Sequence, residues 1–323
     1  MDKKITAFGE IMLRLTPFEK STVLLAKSFE ACYGGSESNV LVALAALGHK
    51  TDYITALPDN SLGMAALHHL RSFGVGVDNI IVRGDRMGLY FLEEGFGERP
   101  TKVIYNRKGS EVSNLSENDV DYDRVFDDCK IFHISGISFA LSESSRALAF
   151  RFLEEAKARN ITVSFDFNYR ASLWSEKEAE EVFRRIIPFV DILFCSERDL
   201  VSFLQTTCDD FYNYYDCRYV FVREREVIDG AMHKVSVNLY NKEKGLIASG
   251  SKAFPVMERI GGGDAFTAGA LHILSNDMDS YEDALSYAIA LFVLKHTVKG
   301  DVISLDAGSV NAYLSNNSKD VRR

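Results

Sequence analysis

Residues 258–266 read ERIGGGDAF, and the run continues as TAGALHIL to residue 274. Gly261, Gly262 and Gly263 each cost about 0.5–1 kcal/mol relative to alanine in regular structure, so a chain keeps three in a row where something must approach its backbone closely. The small and apolar residues that follow predict a helix, and glycines at its mouth leave its first N–H groups bare. Orphan donors and the helix dipole together favour an anion there, and a phosphate is one candidate. Asp264 stands in that field. Its carboxylate can accept a proton from a substrate hydroxyl while the amides hold a phosphoryl group in transfer. The local chemistry equally allows a helix cap on a glycine turn.

On either side of this segment the chain alternates between β-branched apolar runs and helical patterns. KITAFG (4–9) reads as a strand, SESNVLVALAALG (36–48) as a helix, TDYITAL (51–57) as a strand and SLGMAALHHLRSFG (61–74) as a helix. Strand KIFHISG (130–136), helix ESSRALAFRFLEEAKARN (143–160), strand ITVSFDF (161–167), helix SEKEAEEVFRRIIPF (175–189), and strands DILFCS (191–196) and YVFVR (219–223) follow. This βαβ rhythm predicts an α/β fold: a mainly parallel sheet with helices on both faces and ligands at the carboxyl ends of the strands. IMLRLTP (11–17), GLYFLEEG (88–95) and TKVIYNRKGS (101–110) alternate without helices between them, which predicts antiparallel strands outside the main sheet. They form an expected discontinuous lid, approximately 11–33 and 86–110. No linker or repeat divides the chain, so one domain over residues 1–323 is expected.

Bulk composition narrows the partners. With 323 residues, 46% hydrophobic, 26% charged and a formal charge of −9, the chain is ordinary globular material that argues against a general nucleic-acid or anionic-membrane binder. A small molecule is the expected partner. The opening MDKKITAFGE has no apolar signal region, no apolar run reaches membrane-span length, and the five cysteines form no CxxC pair, which together predict a cytoplasmic protein. Phosphate loop GxxxxGK[ST] is absent, and GVGVDN (74–79) and GFGERP (95–100) both lack the last glycine of GxGxxG. His133 reads as a core or strand-end histidine, and His68 and His69 have no metal-ligand partner at matching spacing.

IGGGDAFTAGAL (260–271) resembles the carboxyl-terminal signature of the ribokinase-like, or phosphofructokinase-B, sugar kinases. YGGSESNVLVALAALG (33–48) resembles the same family's amino-terminal double-glycine motif, with Gly34, Gly35 and Asn39, and ALPDNSLGMAALHHLRSFGV (56–75) the segment after it. The resemblance runs from about Ile5 to about Leu305. It implies a three-layer αβα sandwich with a mainly parallel central sheet and a small β-strand lid, with ATP and magnesium at the site. Asp264 is then the catalytic base and Gly261, Gly262 and Gly263 the anion hole.

FGEIMLRLTP, GLYFLEEG, VIYNRKGS, FDFNYRASLW and KHTVKGDV are similar to the 2-keto-3-deoxygluconate kinases within that family. The implied acceptor is a six-carbon keto acid phosphorylated at its terminal hydroxyl. Arg107 and Arg170 suit its carboxylate through bidentate, charge-assisted bonds, although a surface salt bridge is the commoner fate of a lone arginine. Tyr90 and Tyr105 add hydroxyls and an apolar wall from the lid.

On the nucleotide side the resemblance points to Ser196, Arg223 and Lys295, with REREV equally readable as a solvated charge run. Some positions depart from the family. Gly262 stands where it usually has alanine, Arg259 where it often has threonine, and Ser196 to Asp199 where it has Asn-x-x-Glu, a motif that organises magnesium indirectly. Lid strands with a free edge imply a homo-oligomer, a dimer or higher. The rival readings are a kinase for a neutral sugar such as fructose, and a non-catalytic sugar- or nucleotide-binding member.

Overall fold

The structure is a computed structural model that describes residues 3–229 and 231–315. Its strands are β1 (Lys4–Phe8), β2 (Met12–Pro17), β3 (Phe29–Gly34), β4 (Thr51–Leu57), β5 (Ile80–Val82), β6 (Leu89–Glu93), β7 (Lys102–Asn106), β8 (Cys129–Ser135), β9 (Thr162–Asp166), β10 (Ile192–Cys195), β11 (Tyr219–Val227), β12 (Met232–Asn241) and β13 (Gly245–Pro255). Nine of them form one sheet in the order β13-β12-β11-β10-β9-β8-β1-β4-β5, and β3-β2-β6-β7 form a separate four-stranded sheet. From β11 to β5 every neighbouring pair is parallel, while β12 and β13 add an antiparallel edge.

Successive strand residues point to opposite faces, so a strand that is apolar at every position must be covered on both. Ile131, Phe194 and Phe221 pack in one core with helices Ser36–Ala46, Gly262–Leu274 and Tyr281–Lys295. Their neighbours Phe132, Leu193, Val220 and Val222 pack in the other with helices Glu143–Ala158 and Glu176–Ile186. The result is the expected helix–sheet–helix sandwich.

Two elements differ from the sequence expectation. In the lid, β6 pairs antiparallel with β7 and β2 antiparallel with β3, but β2 and β6 run parallel. A whole β3-helix-β4-helix-β5 excursion separates them, and after so long a crossover the chain re-enters the sheet in its original direction. REREV, read as a possible solvated run, is exposed from Glu224 to Val227, and it also carries β11 beyond the expected Arg223, pairing with β12 across the register from Arg223↔Val237 to Val227↔His233. The pairing β9–β10–β11 brings Phe194 beside Asp166 and Cys195 beside Val222, so Asp166, Ser196 and Arg223 emerge together at the carboxyl edge.

Candidate active site

The helix Gly262–Leu274 begins without a side-chain cap, and Gly261 before it takes φ +79°. Elsewhere Asn60, Ser142 and Ser175 each accept a bond from the first turn of their helices. The glycine turn therefore leaves first-turn donors available for an anion. A Cβ on Gly261 would lie 1.8 Å from the Asp301 carbonyl oxygen, so only glycine fits this left-handed position. At Gly263 the same atom would meet only the end of Arg223, 3.2 Å from Nη2.

Gly262, Gly263, Ile260, Arg259, Arg223 and Ser196 line two adjoining cavities. The first, about 680 Å³, reaches from the lid residues Tyr90, Tyr105 and Arg107 to Asp264 and Arg170. The second, about 1470 Å³, lies between the lid turn around Phe96 and the β11–β12 region. A glycine turn shared by two cavities is the arrangement a group transfer between two bound molecules requires.

Asp264 is 9% exposed at the floor of the first cavity. Asn39 Nδ2 donates to its Oδ2 at 2.7 Å and Ser36 Oγ to its Oδ1 at 3.0 Å. Its oxygens thus go to the helix Ser36–Ala46 rather than to the amides of its own helix. Burial pushes its carboxyl up to about 6, while the bonds from Asn39 and Ser36 and the charge of Arg170 pull the other way. Asn39 Oδ1 in turn accepts the Gly35 N–H at 3.3 Å, which ties the double glycine to the acid. Gly34 and Gly35 also leave room: a Cβ on Gly34 would sit 2.2 Å from the Asp301 carboxylate, and one on Gly35 1.9 Å from the Glu10 carbonyl oxygen.

Beyond Ser36 the network continues. Asn168 Nδ2 donates to Ser36 Oγ at 2.7 Å, and the Asn168 N–H to Asp166 Oδ1 at 3.0 Å. Burial pushes the Asp166 carboxyl up to about 7, opposed by Arg223 and reinforced by the charges of Asp264 and Asp199. FDFNYR therefore supplies three site residues, of which Arg170 alone stood out in sequence. Asp166 and Asn168 lie in the same family-like stretch, FDFNYRASLW, but are not singled out there.

The two arginines expected at a substrate carboxylate differ in state. Arg107 is 8% exposed, forms an ion pair with Glu10 and donates from Nε to Glu10 Oε2 at 2.6 Å. Arg170 is exposed on the cavity wall, donates to the Tyr169 carbonyl at 3.2 Å, and forms no ion pair among the described residues. Tyr90 and Tyr105 line the same cavity with ring centroids 5.9 Å apart, but the Tyr90 hydroxyl is committed to Asp301.

In the second cavity Arg223 lies over the rings of Phe266 and Phe292, at 5.5 and 5.1 Å. Arg225 and Arg259 line it too, and burial followed by these neighbouring charges pulls Arg225 below the usual guanidinium range. Among the described residues none of the three is in an ion pair with a carboxylate, and such a cluster suits a polyanion. Ser196 and Asp199 close a reciprocal cap: Ser196 Oγ donates to Asp199 Oδ2 at 2.7 Å and accepts the Asp199 N–H at 3.2 Å. Lys295, expected beside the nucleotide, lines neither cavity; it is 0% exposed, with Nζ donating to the Val298 carbonyl at 3.1 Å. The last turn of its helix points inward, under the glycine turn.

Comparison with known proteins agrees with this geometry. A 2-dehydro-3-deoxygalactonokinase of Haloferax volcanii is 33% identical across 100% of both chains. The crystal structure of a 2-dehydro-3-deoxygluconokinase from Thermotoga maritima superposes with a TM-score of 0.90 at 34% identity, covering 97% of this chain and 99% of that one. An ATP-bound fructokinase from Xylella fastidiosa shares the fold, with a TM-score of 0.81 at 21% identity over 99% of this chain and 100% of that one. Residues 2–215 match the model of the pfkB family carbohydrate kinases. With that match over most of its length and a relative one third identical across the whole chain, this chain belongs to the pfkB family of carbohydrate kinases.

Proposed function

We propose that this enzyme transfers the γ-phosphoryl group of ATP to the terminal hydroxyl of a 2-keto-3-deoxy sugar acid. One observation carries the reading: a buried carboxylate, Asp264, and a carboxylate-free guanidinium, Arg170, share the cavity into which the uncapped glycine turn opens. Asp264 accepts the proton of the attacking hydroxyl. Gly261 sets the turn, and the amides of Gly262 and Gly263 stabilise the charge on the phosphoryl oxygens in flight. Arg223, Arg225 and Arg259 bind the polyphosphate, and the lid excludes water that would compete as acceptor.

Asp166 and Asp199 are the residues that fit magnesium. Burial, with the charges of Asp264 and Asp199 added to it, raises the Asp166 carboxyl, and among the described residues no three-ligand cluster forms a complete metal cage. That donor set suits a cation held by one or two carboxylates, phosphate oxygens and its own waters. When bound, the ion neutralises charge on the phosphate oxygens.

One observation favours a neutral sugar instead: Glu10 already occupies Arg107. An ADP-release assay on 2-keto-3-deoxygluconate, its galacto epimer and fructose separates the two readings. Preference for either acid by tenfold or more in kcat/KM supports the keto-acid assignment, and preference for fructose overturns it.

A further inference from the structure

A fully buried lysine needs an explanation, because an ammonium taken out of water is costly unless its surroundings repay the desolvation. Lys295 is such a residue, and the phosphoryl-transfer chemistry does not use it directly. Burial lowers its affinity for a proton, and the charges of Glu258 and Asp301 offset only part of that loss. Both carboxylates are buried and both also meet Arg14 of β2, from Nη2 to Glu258 and from Nη1 to Asp301, each at 2.7 Å. Arg14 and the two carboxylates thus form an ion-paired cluster between the lid and the glycine turn, and Lys295 lies beside it without pairing with either carboxylate among the described residues.

The cluster bears directly on that turn. Glu258 Oε1 accepts the N–H groups of Arg259 and Ile260 at 3.1 and 3.3 Å, so it shapes the approach to Gly261. Met257 and Glu258 donate their own N–H groups to the His296 carbonyl at 2.8 and 3.2 Å. The chain from Lys295 to Asp301 is therefore the bed on which the turn rests. Lys295 closes that bed by bonding the carbonyl of Val298, three residues on, and its Cε would lie 3.1 Å from a Cβ at Gly261.

We propose that Lys295 is a positioning residue of the phosphoryl-transfer site, a built-in cation that fixes the 295–301 bed, and through it the left-handed turn that frees the amides of Gly262 and Gly263. It touches neither sugar nor nucleotide. Its charge acts on kcat through geometry, since a displacement on the order of 1 Å at a reacting group costs about 10²-fold.

The test uses the full chain with ATP and its preferred sugar acid. Lys295→Met keeps the apolar stem and removes the charge; kcat is expected to fall roughly 10- to 100-fold with the KM of both substrates within about threefold of wild type. In Lys295→Ala, added ammonium or methylammonium chloride is expected to restore part of the lost kcat, methanol at equal concentration none, and the wild type is expected to respond to neither. Wild-type kcat in Lys295→Met overturns the inference, as does a rise in the KM for ATP at constant kcat, or equal rescue by methanol. If Lys295→Ala does not fold, Lys295→Met decides alone: lowered kcat with unchanged KM supports the inference, and wild-type kcat contradicts it. The inference rests on the glycine turn being the phosphoryl site. Failure of that reading shows as wild-type kcat in Gly263→Val, whereas failure of this one shows as an active Lys295→Met beside an impaired Gly263→Val.

Discussion

Asp264 meets two opposed demands: it must be ionised to take a proton, yet it is buried where ionisation is disfavoured. Replacing it by asparagine keeps the volume and removes the base, so kcat should fall by roughly 10² to 10⁴ with little change in ATP binding, measured by ADP release and by calorimetric titration. Near-normal turnover would remove Asp264 from the chemistry. Its carboxyl, pushed up to about 6, also sets an acid limb. As pH falls through about 6 the base is protonated and kcat/KM declines, with Asp166 coupled to the same titration. The stability linkage has the opposite direction. Because both folded-state values, about 6 and about 7, lie above the ordinary carboxylate range, the stabilisation they confer is present at low pH and lost as pH rises through 6 to 7. Asp166→Asn should therefore raise the melting temperature at pH 8, and the gain should shrink at pH 5. An equal gain at both pH values would show that the Asp166 charge is not what strains the site.

Among the elements, the helix Gly262–Leu274 separates a structural glycine from a functional one. Gly261→Ala puts a side chain at φ +79° and against the Asp301 carbonyl, so it should lower stability by more than about 1 kcal/mol. A Cβ at Gly263 meets only the end of the Arg223 side chain, so Gly263→Val should fold and lose turnover by displacing that guanidinium and blocking the amides. Circular dichroism melts beside kcat resolve the two; equal destabilisation of both variants would contradict the distinction. This helix was legible in sequence because its signal is local: three glycines, an acid and an apolar run within 17 residues, 258–274. Its support was not. Ser36 meets Asp264 across 228 positions and Arg14 meets Asp301 across 287, and the motifs around Ser36 and Arg14 do not say which distant residue each one bonds. Lys295, expected on the nucleotide side, lines neither cavity, and its bond to the Val298 carbonyl depends on a segment that only folding brings around it.

At the scale of the whole molecule, strict alternation of strand and helix patterns revealed the parallel sheet, because only strands covered on both faces are apolar at every position. The parallel pairing of β2 with β6 was hidden, since direction depends on the length and path of the intervening chain rather than on either strand. The lid leaves Leu24 91% and Leu25 72% exposed beside its edge strand β3. We propose that two lids associate there. Light scattering should give twice the chain mass, and a Leu24→Glu, Leu25→Glu variant should give the single-chain mass; a wild-type monomer would contradict it.

The central claim is that this cavity grips a carboxylate, and Arg170 tests it more directly than Arg107, which Glu10 already holds. Arg170→Met removes a charge-assisted contact of about 1.5–3 kcal/mol, which corresponds to a roughly ten- to hundredfold higher KM. The measurement is kcat/KM for 2-keto-3-deoxygluconate and for fructose in the wild type and in Arg170→Met. The expected result is a wild-type preference for the acid that shrinks by that factor in the variant, with fructose unchanged. A wild type that prefers fructose, or a variant that weakens both substrates equally, would contradict it.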